Sequence, residues 1–148
     1  MGARRGEVAH ALKHMDDLSP AGKAAWLGNV LEMDDVHRTA ILHPGPVVWP
    51  TVLAAARGHG MDEVLDAAVR GYEAMISIGA TFDARHYAHW HNTATAGLFG
   101  AAAAAAALQG ADRAQLVAAL GLAGSVTGGF WQMRHEPVTA KQWHIAHA

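Results

Sequence analysis

Apolar positions recur every three or four residues along most of the chain and almost nowhere alternate with polar ones. That spacing predicts helices and almost no strand. The clearest run is Met61 to Ile78, where Val64, Leu65, Ala68, Tyr72, Met75 and Ile76 share one helical face. Gly79 stands where a left-handed cap would close that helix. Before it, Arg5 to Leu18 reads as a short amphipathic helix with Val8, Leu12 and Met15 on one side. Ser19-Pro20 places a cap ahead of a first-turn proline, which predicts a second helix from Ala21 to Met33. Asp34 to Gly45 reads as irregular, ending in the breaker His43-Pro44-Gly45-Pro46. A short helix is expected after Pro50, from Thr51 to Arg57, with Gly58 and Gly60 ending it. Thr81 to Asn92 reads as a polar, histidine-rich connection. Thr93 to Leu108 and Asp112 to Ala123 predict two small-residue helices, and the short link Gln109-Gly110-Ala111 implies an antiparallel pair. Ser125 to Gly129 reads as a loop. Ala140 to Ala148 begins a last helix so short that it either frays or docks on something else.

Composition sharpens this reading. The 148 residues include 33 alanines and 16 glycines, a third of the chain. Small residues let helix backbones approach closely, at the short end of the usual 8–10 Å range. Gly97, Gly100 and Ala101 to Ala107 therefore predict a helix through the middle of a bundle. The expected fold is all-α, one helical domain over residues 1–148. Charged residues are only 16% of the chain and the formal charge is −2. Neither a basic nucleic-acid footprint nor a polybasic membrane patch fits that balance. Absence of cysteine excludes a disulfide scaffold, a thiolate zinc site and a cysteine nucleophile. Two uncharged stretches, Asn92 to Ala111 and Ala114 to Met133, are long enough to span a bilayer but rich in Ala, Gly, Thr and Ser. They read as two helices buried on most sides, which points to a partner surface in so small a chain. Met1 to Glu7 carries Arg4 and Arg5 with no apolar segment behind them, so no secretory leader is expected. A cytoplasmic protein is the expectation.

The chemistry concentrates in histidines and a few charges. Eleven histidines are many for this length. His86, His89 and His91 lie close in sequence, and a metal site is one reading of them. The other is loop or helix-end histidines bonded to backbone, and no metal is expected. A stronger pattern is histidine and lysine at helix starts. His43 precedes one, His91 precedes another, and Lys141 and His144 share a face of the last helix at i, i+3. Helix N-termini present free N–H groups and partial positive charge. With imidazoles and an ammonium added, the sum is a pocket for an anionic substrate that can also move protons. Glu32-Met33-Asp34-Asp35 sits at the end of the second helix, where a carboxylate opposes the helix dipole. It is either a functional carboxylate cluster or a solvated loop.

These residues resemble a known family. Leu42-His43-Pro44-Gly45, followed by Val48-Trp49-Pro50, is similar to the HPG motif of the MmgE/PrpD family. Gly71-Tyr72-Glu73 resembles its GYE segment. His91-Asn92-Thr93 through Gly97-Leu98-Phe99-Gly100-Ala101-Ala102-Ala103 resembles its H-x-T-x-x-x-G-x-F-G-A-A-A signature. Leu120 to Ser125 and Lys141-Gln142-Trp143-His144 resemble the segment carrying a site lysine, and Glu32 to His37 sits where the family has D-F-D-D-T-H. The family includes 2-methylcitrate dehydratase, cis-aconitate decarboxylase and an iminodisuccinate epimerase. Its members combine a large helical domain with a smaller lid domain, need no metal and are usually homodimers. The resemblance implies catalytic roles for His91, His43 and Glu32, with Lys141, Asp35, Thr93 and His144 binding substrate, and no cofactor. In that mechanism His91 moves a proton alpha to a carboxylate, His43 assists and Lys141 neutralises the developing anion. Dehydration, isomerisation or epimerisation is expected ahead of decarboxylation.

The departures from the pattern matter as much. Glu32 replaces an Asp, Val36 replaces the Thr of the D-D-T-H run, and Ser77 stands where many members have an Arg. Without that hydroxyl and guanidinium, a tricarboxylate would not be held in the family's usual way. The sequence covers part of the helical domain and no lid, and the family's remaining catalytic lysine and tyrosine would lie outside it. One expectation is the small subunit of a split enzyme, completed by a larger MmgE/PrpD-like subunit that carries the lid. The alternative is a reduced homologue, alone or as a homo-oligomer, acting as a non-catalytic binding subunit or with different chemistry.

Overall fold

The computed structural model describes residues 10–135 and 138–148. Among them are seven α-helices: α1 (Pro20–Asn29), α2 (Gly45–Ala55), α3 (Met61–Gly79), α4 (Ala84–His89), α5 (Asn92–Leu108), α6 (Arg113–Val126) and α7 (Ala140–His147). Short 3-10 turns occupy Ala11–His14 and Trp131–His135. No strand occurs among the described residues, which hold two isolated antiparallel bridges, His37 with Leu42 and Trp90 with Phe130. The all-α expectation holds. Val8 and the start of the first expected helix lie outside the described residues.

The helix starts follow local chemistry. The Ser19 hydroxyl accepts from Gly22 N–H at 3.0 Å, with Pro20 opening α1. Asp112 and Gln115 each bond the other's backbone N–H at 2.9 Å, a reciprocal cap on α6. Gly110, at φ 64, makes the turn between α5 and α6 in a conformation glycine adopts without penalty.

α5 runs through the middle. It packs on α2, α3, α6 and α7, and its most extensive partner is α3. Glycines set that contact. A Cβ on Gly71 would lie 2.8 Å from Val48 and 2.9 Å from Ala104, and one on Gly100 would lie 2.8 Å from Met75 Cβ. The close approach expected between α5 and α6 is therefore made between α3 and α5 instead. Val47, Val48 and Val52 of α2, Met75 of α3 and Ile145 of α7 are buried in the core around it.

Several expectations are corrected. α2 begins at Gly45, not Thr51, because Pro44 and Pro46 fall in its first turn, where proline has no hydrogen bond to lose. Pro50 lies inside that helix. α1 ends at Asn29, so Glu32 to Asp35 lie in the turn beyond it rather than at the helix end. The Thr81–Asn92 connection contains α4, capped by Asp83, whose carboxylate accepts from Arg85 and His86 N–H at 3.0 and 2.9 Å. Gly79 is not a left-handed cap; it leaves room for the Leu42 side chain. α6 is not buried on most sides. Ala123 is its one fully buried residue, because within this chain it packs on α5 alone among the extensive contacts. The last helix docks: Ile145 and Gln142 of α7 are buried, and the helix lies against α1.

Candidate functional site

The first turn of α5 is the anchor of the site. His91 is its N-cap residue and is 2% exposed. Its N–H donates to Gly129 carbonyl at 2.8 Å, and its carbonyl accepts from Thr95 N–H at 3.0 Å. Thr95 hydroxyl bonds Gly128 carbonyl at 3.1 Å, and Thr127 hydroxyl bonds Thr95 carbonyl at 2.6 Å. Gly129, at φ 100, can take this path against α5 because it lacks a side chain. The His91 backbone is thereby fixed, and its ring packs 4.6 Å from the Trp131 ring and 5.7 Å from the His144 ring, centroid to centroid. Burial pushes the His91 pKa down to about 3, helped by the nearby His144, Lys141 and His43. At neutral pH this imidazole is uncharged, as a general base must be. Its Nδ1 has no hydrogen-bond partner among the described residues.

His43 belongs to the same cluster. Its N–H donates to the Thr93 hydroxyl at 3.1 Å, which ties the start of α2 to the start of α5. Its Nδ1 lies 2.8 Å from Asp34 Oδ2. Asp34 is held in turn by Asn29 Nδ2, which donates to both carboxylate oxygens at 3.1 and 3.0 Å. Thr93 is fully buried, so its hydroxyl positions His43. Lys141 of α7 donates to both carboxylate oxygens of Glu32. Glu32 has φ 53, a strained backbone for a residue with a Cβ, and this conformation accompanies the bonds its carboxylate accepts from Lys141.

Asp35 faces another way. It accepts from Gly45 N–H at 2.9 Å and from Tyr72 hydroxyl at 2.8 Å, capping the first turn of α2. Burial and the Asp35 carboxylate raise the Tyr72 pKa to about 12, against an opposing hydrogen bond with Trp49. Tyr72 therefore stays protonated and keeps donating. The N–H groups expected to be open for an anion at this helix start thus include one already taken by Asp35.

Of the residues singled out from the sequence, His91, His43, Lys141 and His144 come together, and Glu32 and Thr93 each hold one of them in place. Asp35 stands apart with Tyr72. His86 stacks on Phe82 at 3.9 Å, away from this arrangement, and among the described residues no group of three or more His, Asp or Glu could hold a metal ion. Asn29 and Trp131 were not legible. Asn29 falls inside the helix expected over Ala21 to Met33 and carries no signal of its own, and Trp131 reaches His91 only through the path of the loop before it. Tyr72 read as core because its spacing matches the apolar face of α3. An apolar groove of about 670 Å³ lies between α1 and α2. Asp34 and Asp35 border it, together with Tyr72, Trp49 and Leu53.

The model of the MmgE/PrpD N-terminal domain matches residues 6–148, nearly the whole sequence. The chain belongs to the MmgE/PrpD family. Among curated proteins it is similar to the cis-aconitate decarboxylase-like protein oryM of Aspergillus oryzae (strain ATCC 42149 / RIB 40), with 29% identity over 164 residues. That match covers 90% of this chain and 34% of the relative, so the chain spans about a third of that relative's length. The all-α fold is the one expected of an MmgE/PrpD N-terminal domain. No helix among the described residues is long and apolar enough to cross a membrane.

Proposed function

We propose that this MmgE/PrpD chain forms one wall of an active site for a small carboxylate substrate. One observation carries the reading: a buried, uncharged His91 with an unpartnered ring nitrogen stands in the field of Lys141 and His43. His91 takes or delivers a proton alpha to the substrate carboxylate. His43, oriented by Asp34 and Thr93, assists as the second proton carrier. Lys141 exchanges Glu32 for the substrate and neutralises the charge that develops. Glu32 then acts as the group that holds the ammonium in readiness, and His144 lines the wall beside His91. Dehydration, isomerisation and epimerisation all begin with such a proton transfer. The name of the Aspergillus relative adds decarboxylation, in which the same histidine would return a proton to carbon.

The other wall, in this proposal, comes from a larger MmgE/PrpD-like subunit bearing a lid domain, or from a second copy of the chain. Exposed apolar residues support a partner: Val117, Leu122 and Val126 along α6, then Phe130 and Trp143 nearby in sequence or structure. The same surface also favours a second reading, a non-catalytic interaction subunit. Co-expression with a lid-bearing family member and assay of small carboxylates separates the two. The catalytic reading expects Lys141→Ala to raise KM by about 10–100-fold, the usual worth of a hydrogen bond to a charged group. Unchanged kinetics in that variant, with assembly lost on Leu122→Glu, would favour the interaction subunit.

A further inference from the structure

Burial sets His91 a problem that the chemistry proposed above does not solve. There, the proton taken up by His91 and the proton delivered by His43 pass through different groups. A turnover leaves His91 protonated, and the ring must return that proton to water before it can act again. A residue that is 2% exposed cannot hand it over directly.

The His144 ring lies 5.7 Å from that of His91, centroid to centroid. Nδ1 of each ring is buried without a hydrogen-bond partner among the described residues. Buried polar atoms are nearly always bonded, directly or through water, so two open nitrogens on neighbouring rings mark a place for a bridge. Gly129 keeps space beside both: a Cβ there would lie 3.6 Å from His144 Nδ1 and 3.7 Å from His91 Cβ. His144 also borders a cavity of about 240 Å³, together with Gly128, Gly129, Trp143 and His147. That volume has room for several water molecules at about 30 Å³ each. His147 is exposed, three residues further along α7, and its charge lowers the pKa of His144. Burial thus falls step by step along three rings, from His91 through half-buried His144 to His147.

The other charged groups around His91 offer no such route. Lys141 is a donor held by Glu32, and His43 faces Asp34. Arg134, its guanidinium 5.2 Å from the Trp131 ring, stays protonated and has no acceptor. His91 and His144 are both pushed toward the uncharged form, chiefly by burial, so at neutral pH each can accept a proton.

We propose that His144 is a proton relay for His91, carrying protons between the buried base and water in the cavity that ends at His147. The inference rests on the acid–base reading of His91 and adds to it the return of the proton. Protonated His91 gives one proton to His144 and is neutral again. His144, for that moment an imidazolium, gives one to His147 or to water. One proton moves outward and no electron changes hands.

The test begins with the 15N-labelled chain alone, in which NMR follows exchange of the His91 ring N–H with water. His91→Gln assigns the signal. His144→Gln keeps a polar group beside His91 but cannot carry a proton. It should slow the exchange at least about tenfold, since a positioned proton carrier contributes about 10²–10⁴-fold. Exchange like the parent's overturns the relay and leaves the His91 reading standing. If His144→Gln does not fold, His147→Ala, which alters only an exposed ring, takes its place: slowed exchange supports the relay and parent-like exchange overturns it. In the enzyme reconstituted with a lid-bearing family member, His144→Gln should lower kcat about 10²-fold with KM unchanged, and imidazole buffer should restore the rate. A raised KM with kcat intact assigns His144 to substrate binding and overturns the relay. Full activity of His91→Ala removes the base itself, and both proposals fall.

Discussion

At the scale of single residues, His91 carries the greatest energetic tension. Its pKa falls from 6.5 to about 3 in the folded chain. Between those values the unfolded chain binds a proton that the folded chain refuses. Stability therefore falls as pH drops from about 6.5 toward 3, with a slope of up to about 1.4 kcal/mol per pH unit from this group. His144 and His86 are shifted in the same direction and add to it. Urea denaturation of His91→Gln across that range should show a flatter pH dependence than the parent; an unchanged slope would mean that His91 is charged in the fold. Glu32 presents a different case. Its pair with Lys141 is partly exposed, so Glu32→Gln should change stability by no more than about 1 kcal/mol. The same change should strengthen binding of a small carboxylate to the reconstituted enzyme, because Lys141 no longer has to leave Glu32. Weaker binding in that variant would assign Glu32 a direct role toward substrate.

Among the elements, the α3–α5 contact decides whether the site exists, because α5 carries His91 and Thr93 at its first turn. Gly71 and Gly100 face each other's backbones, each glycine's Cβ position lying 3.0 Å from the other's carbonyl oxygen. An alanine at either must push the helices apart. Gly71→Ala should destabilise by about 1–3 kcal/mol, the usual cost of overpacking a core, measured by chemical denaturation. Gly121→Ala on α6 meets nothing within 4 Å and should be neutral or slightly stabilising, as expected for alanine replacing glycine in a helix. The small-residue stretch announced a close helix contact but not its partner. Sequence adjacency favoured α6, whereas the glycine at position 71, seen in the sequence only as part of a motif, selects α3. The start of α2 shows the same kind of limit. Prolines at 44, 46 and 50 read as interruptions, yet the first turn of a helix tolerates the two that fall there.

For the whole molecule, the outer face of α6 and the rings beyond it are the features the packed fold leaves unexplained. Leu122 is 67% exposed and Phe130 62%. Leu122→Glu should leave stability of the chain within about 0.5 kcal/mol, as for other surface changes, while reducing any self-association measured by sedimentation. The sequence carried the helical class, most helix positions and the residues that converge on His91, because helical periodicity and helix-start chemistry are local signals. It did not carry the exposure of α6 or the position of Trp131. Those depend on which surfaces meet in three dimensions, and no spacing encodes that.

The central claim is that His91 transfers the proton in a site this chain shares with a lid-bearing partner. Steady-state kinetics of His91→Ala in the reconstituted enzyme test it most directly. A loss of about 10²–10⁴-fold in kcat, with assembly intact, is the predicted result. Activity within about threefold of the parent, well short of the usual contribution of an acid–base group, would contradict it.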